Sequence, residues 1–290
     1  MKILNFGSLN IDHVYQVDHI SRPGETLASS SYQVFAGGKG ANQSAALARA
    51  GAPVFHAGQV GPEAQWLVEK LTTLGADMQF TQTSQTPTGH AIIQVDKNGE
   101  NSIVLYPGCN KEITTEQIDA TLDSFIKDDI LLLQNEINNI TYLIKQANKK
   151  ALRICLNPAP FDSEILTYPL DLVDILVVNQ TEGMGLCPNT SLDRLADQLA
   201  ATYPKADIVL TLGAKGVIYR SPTDALEVPA QEVNALDTTA AGDTFIGYFL
   251  AAVLADLPTI DCLEQASKAA ALCVTRPGAM DSIPAKDELN

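Results

Sequence analysis

The segment Asn234-Ala-Leu-Asp-Thr-Thr-Ala-Ala-Gly-Asp-Thr-Phe-Ile-Gly247 places one carboxylate, Asp237, before a turn of small residues and a second, Asp243, just after it. The apolar run Phe245 to Leu254 that follows has helical length, so the turn at Ala240, Ala241 and Gly242 sits on a helix N-terminus. Unpaired backbone N–H groups and the positive end of the helix dipole favour an anion there, and small residues let a phosphate approach. A carboxylate beside an anion site is repelled by it. Asp243 therefore needs a task that outweighs the repulsion, such as taking the proton from a hydroxyl that attacks phosphorus. The plainer reading is an N-terminal helix cap.

Other polar residues fall where ligands bind in α/β proteins. Asn10 and Asp12 follow a first strand; a turn or Asx cap explains them as well as a ligand contact does. As a pair they suit a polyol, because a carboxylate accepts hydroxyl protons while an amide both donates and accepts. Gly37-Gly38-Lys39-Gly40-Ala41-Asn42 precedes a helix, but it is neither a Walker A loop, which needs Ser or Thr where Gly40 stands, nor a dinucleotide fingerprint. Glu136 ends an apolar strand, as a solvated loop residue or a ligand. Asn179-Gln-Thr-Glu182 by itself reads as capping, and Thr211, Gly213 and Gly216 as a strand-to-hairpin turn.

Together these stretches resemble the ribokinase family of sugar and nucleoside kinases. Gly37 to Ser44, with Gly51 and Gly61 beyond it, is similar to the first family signature, and the Asp237 to Gly247 segment to the second. Gly7 to Asp12, Asn179 to Glu182 and Thr211 to Gly216 extend the resemblance along almost the whole chain. It implies ATP-dependent phosphorylation of the primary hydroxyl of a sugar, most simply D-ribose, with Asp243 as general base and the N–H groups at Ala240, Ala241, Gly242 and Asp243 stabilising the transferred phosphoryl group. It further implies sugar contacts from Asn10, Asp12, Gly37, Gly38, Lys39, Asn42 and Glu136, with Lys39 sharing in the phosphate charge. ATP would lie against Thr211, Gly213 and Gly216, with Asn179 and Glu182 organising Mg²⁺ through water. K⁺ would be ringed by Asp237, Thr239, Cys273, Arg276, Gly278 and Ser282, with Cys273 and Arg276 contributing main chain only. Deoxyribose, fructose or another sugar, or a nucleoside, are alternative acceptors, and a sugar-binding or regulatory protein that has lost transfer is the alternative of another class. The chain departs from the pattern at Tyr248, Ile246, Gly61-Pro62-Glu63, Trp66 and Ser267-Lys268.

The elements that must position these residues alternate. Strand and helix patterns recur from Gly40 onward: helix to Ala50, strand Val54 to Val60, helix Glu63 to Leu74, helix Thr115 to Ile126, strand Ile130 to Gln134, helix Asn138 to Lys149, strands Leu152 to Leu156 and Asp174 to Val178, helix Leu192 to Thr202, strand Asp207 to Thr211, and a late helix Asp261 to Val274. This rhythm predicts an α/β fold, a three-layer α/β/α core with a mostly parallel sheet and ligands at the strand carboxyl ends. Two β-prone insertions interrupt it, 10–36 and 89–107, the second with the hairpin signal Asn98-Gly99. They predict one small sheet, which in the resembled family is a lid over the sugar, leaving 1–9, 37–88 and 108–290 as the core. An open sheet edge predicts pairing, and the resemblance implies a homodimer through the lid.

With 290 residues, 34 acidic against 19 basic and a net charge of −15, the chain is large enough for one α/β domain and repels nucleic acid and anionic membrane. Its five scattered cysteines, with no Cys-x-x-Cys pair, point to free thiols in a reducing compartment. The start has no signal-peptide core and no apolar run reaches the roughly 20 residues of a membrane span, so a cytoplasmic enzyme is expected.

Overall fold

The structure is a computed structural model that describes residues 1–289. In chain order its main elements are β1 (Ile3–Phe6), β2 (Asn10–Gln16), β3 (Ser31–Gly37), α1 (Lys39–Arg49), β4 (Val54–Val60), α2 (Gln65–Leu74), β5 (Asp77–Thr83), β6 (Gly89–Val95) and β7 (Asn101–Tyr106). There follow α3 (Thr115–Leu122), β8 (Ile130–Gln134), α4 (Ile140–Lys149), β9 (Arg153–Asn157), β10 (Ile175–Asn179), α5 (Gln180–Leu186), α6 (Leu195–Thr202), β11 (Asp207–Thr211), β12 (Val217–Arg220), β13 (Ala225–Val228), α7 (Ala241–Leu254) and α8 (Thr259–Cys273).

Nine strands form the main sheet in the order β13-β12-β11-β10-β9-β8-β1-β4-β5, parallel except for the pairings of β12 with β11 and β13. Alternate residues of its central strands feed two apolar cores. Ile3, Ile130, Leu132, Ile175 and Val177 pack on the side of α1, α2, α7 and α8, whereas Leu4, Leu131, Leu133, Leu176 and Val178 pack against α3 to α6. Strands buried on both faces read as continuous apolar runs, and the three-layer core expected from the sequence is what they build. Among the described residues no helix is long and apolar enough to cross a membrane.

The second sheet has the order β3-β2-β6-β7, drawn from both insertions. Two antiparallel hairpins, β2 with β3 and β6 with β7, are joined by the parallel pair β2 and β6. Asn10 and Asp12 lie within β2 rather than in a turn, and β3 ends at Gly37, one residue short of α1, so this sheet itself carries the polar residues described above to the edge of the core.

Several boundaries depart from the sequence reading. The expected helix Thr115 to Ile126 ends at Leu122, because Phe125 turns into the core and the Asp129 carboxylate accepts the Ile126 amide at 3.1 Å. The helix expected from Asn138 begins at Ile140, since Asn138 and Asn139 instead donate to the Ile113 carbonyl. The 63–64 and 192–194 ends of two expected helices are 3₁₀ turns. Strand β5 has no counterpart in the sequence reading, whereas α5 is the short helix that the capping reading of Asn179 to Glu182 implies.

Candidate active site

The turn before α7 is a helix N-terminus of the expected kind. Ala240 is its N-cap residue, with a left-handed backbone at φ 59°, and no side chain caps the helix. A non-glycine residue there costs about 1 kcal/mol, a strain tolerated when the surroundings fix the turn. Asp243 is two residues inside the helix and does not cap it. Its carboxylate instead accepts from the side chains of α1: Gln43 Nε2 donates to Oδ1 at 2.9 Å and Asn42 Nδ2 to Oδ2 at 3.2 Å. The plain cap reading thus finds no counterpart in the hydrogen bonds, while α1 and α7, packed side by side, bring the two glycine-containing stretches face to face. Gly247 permits this packing, because a Cβ there would lie 2.3 Å from the Ala46 side chain.

On the lid side, Asp12 lies over the backbone of Gly37, where a Cβ would fall 2.1 Å from a carboxylate oxygen. Burial, then the neighbouring Glu136 carboxylate, push Asp12 up to about 6. Glu136 Oε2 accepts the Lys39 amide at 2.9 Å and the Ser8 hydroxyl, so the carboxylate pins the entry to α1 as well as facing Asp12. Asn10 Oδ1 accepts from Asn110 Nδ2 at 2.8 Å. Asn110 also bonds both the amide and the carbonyl of Leu9, and so fixes the junction of core and lid.

Lys39 stands between the two halves. Burial alone would lower it, but the combined fields of Asp243, Glu136 and Glu182 outweigh that and hold it above the usual lysine range. This cation is the local counterweight to a net charge of −15, and it faces the carboxylates of both stretches. Glu182 is buried and, chiefly for that reason, raised above the usual carboxylate range. Asn179 and Glu182 form a reciprocal capping box on α5, with Asn179 Oδ1 accepting the Glu182 amide at 3.0 Å and Glu182 Oε2 the Asn179 amide at 2.9 Å. The capping reading of this pair is therefore correct, and the same carboxylate interacts electrostatically with Lys39 and Asp243.

Beyond the α7 turn opens a cavity of about 470 Å³. Ala241 and Gly242 line it together with Thr211 at the end of β11, Gly213 and Gly216 of the β11–β12 connection, Ser267, and Phe245, Ala270 and Val274 on its apolar side. A polar turn at one end and an apolar wall elsewhere suit a ligand with a charged end and a flat, weakly polar end.

The residues expected to ring a monovalent cation are also assembled. Asp237 accepts the Thr239 amide and the Gly278 amide, each at 2.9 Å, tying the loop before α7 to the loop after α8. Cys273 Sγ lies 3.1 Å from Ser282 Oγ and 3.9 Å from the Thr239 carbonyl. The Arg276 guanidinium pairs with Glu288. Among the described residues no group of three or more His, Cys, Asp or Glu side chains is disposed to hold a metal, so an ion here would draw on main-chain and hydroxyl oxygens beside the single Asp237 carboxylate.

Of the departures from the family pattern, Tyr248, Ile246 and Trp66 are packing residues, while Ser267 lines the cavity. Tyr248 is fully buried and donates its hydroxyl to the Pro284 carbonyl at 2.7 Å; Ile246 lies in the core and Trp66 packs against it. Lys268 donates to the Leu289 carbonyl. Sequence reasoning missed Ser8, Gln43, Asn110, Gln134 and Asn157, all of which hold the site. The available signal was a run of polar residues, Asn42 to Ser44, in a small helix whose residues 40–47 are all buried.

Comparison with known proteins accords with this geometry. Residues 1–286 match the pfkB family carbohydrate kinases. The chain is 37% identical to a ribokinase of Haemophilus influenzae, over 97% of this chain and 95% of the relative. It is 30% identical to a deoxyribokinase of Salmonella typhi, over 100% and 98%. The structure of Arabidopsis thaliana ribokinase complexed with ribose and ATP superimposes with a TM-score of 0.88 at 27% identity, covering 99% of this chain and 97% of that one. On sequence, fold and site geometry together, the chain belongs to the pfkB family of carbohydrate kinases.

Proposed function

We propose that this enzyme transfers the γ-phosphoryl group of ATP to the primary hydroxyl of D-ribose, giving ribose 5-phosphate and ADP. The observation that carries the reading is the meeting of Asp243 with Asn42 and Gln43 at the mouth of the α7 turn, between the lid-side carboxylates and the 470 Å³ cavity. Asn10, Asp12, Lys39, Asn42 and Glu136, with the close backbone of Gly37 and Gly38, hold the sugar. Thr211, Gly213 and Gly216 lie along the nucleotide. The attacking hydroxyl oxygen bonds to the γ-phosphorus as the bond to the ADP oxygen breaks; that oxygen keeps the electron pair, and Asp243 takes the hydroxyl proton. The amides at Ala240, Ala241, Gly242 and Asp243 meet the charge of the transferred group.

Two ions belong to this reading. Glu182 fits a hydrated Mg²⁺ held through water, since its oxygens are already engaged by Asn179 and the carboxylate is buried beside Lys39. Asp237, Thr239 and Ser282, with the main chain of Cys273, Arg276 and Gly278, fit K⁺, a cation suited to carbonyl and carboxylate oxygens. Mg²⁺ supplies charge neutralisation on the phosphates, and K⁺ adds positive field behind the anion turn. The free, buried state of all five cysteines supports a reducing, cytoplasmic setting.

The identity to a deoxyribokinase favours 2-deoxyribose as the alternative acceptor. An ADP-release assay over ribose, deoxyribose, fructose and nucleosides decides between them. Ribose is expected to show the highest kcat/KM, because buried partners left unpaired by a deoxygenated sugar cost about 1–3 kcal/mol each. A tenfold preference for another acceptor reassigns the substrate, and the absence of ADP release with every acceptor reassigns the class.

A further inference from the structure

Behind the α7 turn lies a chain of buried side-chain amides that no catalytic role accounts for. Gln43, fully buried on α1, is committed at every polar atom but one lone pair: Nε2 donates to Asp243 Oδ1 at 2.9 Å and to Asn157 Oδ1 at 3.2 Å, while Oε1 accepts from Gln134 Nε2 at 2.7 Å. Gln134 also donates to Asn5 Oδ1 at 2.9 Å, and Asn5 donates to the Gly40 carbonyl at 2.7 Å and to Ser44 Oγ at 2.8 Å. On the other branch Asn157 donates to the Val177 carbonyl at 3.0 Å and to Glu182 Oε2 at 3.5 Å. The network ends at His56, which bonds Ser44 and is pushed down to about 4 by burial, so it adds no charge near neutral pH.

An isolated amide beside a carboxylate could present either end. Here Gln134 fixes the oxygen of Gln43, so its N–H groups must face Asp243 and Asn157. We propose that Gln43 is the positioning residue for Asp243: it grips Oδ1, stabilises the ionised carboxylate and leaves Oδ2, on the Asn42 side, to receive the hydroxyl proton. Through Asn157 the same amide ties the base to Glu182, and through Gln134 and Asn5 to the Gly40 turn, so both binding halves set the aim of one carboxylate. The inference rests on the reading of Asp243 as the base. Lys39 on α1 and Glu182 on α5 interact electrostatically with Asp243, and both remain when Gln43 is changed.

The test is the pH profile of kcat at saturating ribose and MgATP for the parent, Gln43→Leu and the isosteric Gln43→Glu, with Asp243→Asn alongside. Loss of the donor is expected to lower kcat about 10- to 100-fold near neutral pH and to move its acid limb up by about one pH unit, with both KM values within about threefold. In Gln43→Glu two carboxylates face each other and the limb moves further. A purely structural role predicts a uniform fall at all pH values with the limb unmoved, and that result, in either variant, overturns the proposal. Should Gln43→Leu not fold, the isosteric variant alone decides. If Asp243→Asn keeps parental turnover, the base reading itself fails; if it is inactive while the Gln43 variants keep the parental limb, only the positioning role fails.

Discussion

At the scale of single residues, Asp243→Asn separates the chemistry from the architecture. Asparagine keeps the size and can still accept from Asn42 or Gln43, but it cannot take a hydroxyl proton at neutral pH. Turnover is expected to fall by about 10²–10⁴, with a much smaller change in ribose KM. Steady-state kinetics check it, and turnover within about threefold of the parent would falsify the base assignment. Asp12 offers a second test because its environment works against its charge. Burial and Glu136 raise it from 3.8 to about 6, so the ionised form is disfavoured in the folded free enzyme. A raised folded value means that the group favours folding most below pH about 4 and that this contribution is lost as pH rises through about 6. At pH 8, Asp12→Asn is therefore expected to stabilise the free protein, by order 1–3 kcal/mol, while weakening ribose. The gain in melting temperature should fade as pH falls from 6 to 4. A variant less stable than the parent at pH 8, measured by thermal unfolding, would show that Asp12 is held by attraction rather than desolvated.

At the scale of elements, what was legible followed period and punctuation. The central strands are apolar on both faces and stood out as runs; α2 stops directly before Gly75, and α1 stops at Arg49, with its cap residue Ala50 followed by Gly51, both glycines having positive φ. Strand β5 escaped because it is an edge strand: of Asp77–Thr83 only Met78 is buried, so there was neither alternation nor an apolar run to read. The amide network escaped for a different reason. Asn5, Gln43, Gln134 and Asn157 lie in four separate elements, far apart in the chain, and only the assembled sheet with α1 packed on it brings them together. The loop pair around Asp237 yields a prediction at this scale. Its hydrogen bonds to Thr239 and Gly278 hold two loops in register behind the anion turn, and K⁺ should tighten that register further. Activity is expected to rise on adding K⁺ and less on adding Na⁺. Equal rates with and without K⁺ at matched ionic strength would remove the cation from the mechanism while leaving the Asp237 strap intact.

At the scale of the whole molecule, the lid is the part that the core does not explain. Its sheet has two unpaired edges, β3 and β7. Pairing registers place Asn10 and Asp12 on one face, while Tyr32, Val34, Ile92, Val104 and Tyr106 share the other with His13, Tyr15 and His90. The first five of these are exposed, Val104 to 66% and Tyr32 to 50%. Contiguous exposed apolar surface on a sheet with open edges is a liability unless something covers it, and net charge alone does not remove it. A second copy of this chain presents the same apolar surface, and a two-fold pairing of lids would bury both at once while stiffening the sheet that carries Asn10 and Asp12. A homodimer through residues 10–36 and 89–107 is therefore expected, and Val104→Lys should dissociate it by burying an unpaired charge. If covering the lid is what orders Asn10 and Asp12, the dissociated form should show a higher ribose KM with ATP KM nearly unchanged, since the cavity proposed for the nucleotide is lined by core residues alone. Light scattering at micromolar concentration checks the assembly, and a monodisperse parent monomer at full activity would leave this face without the role argued for it.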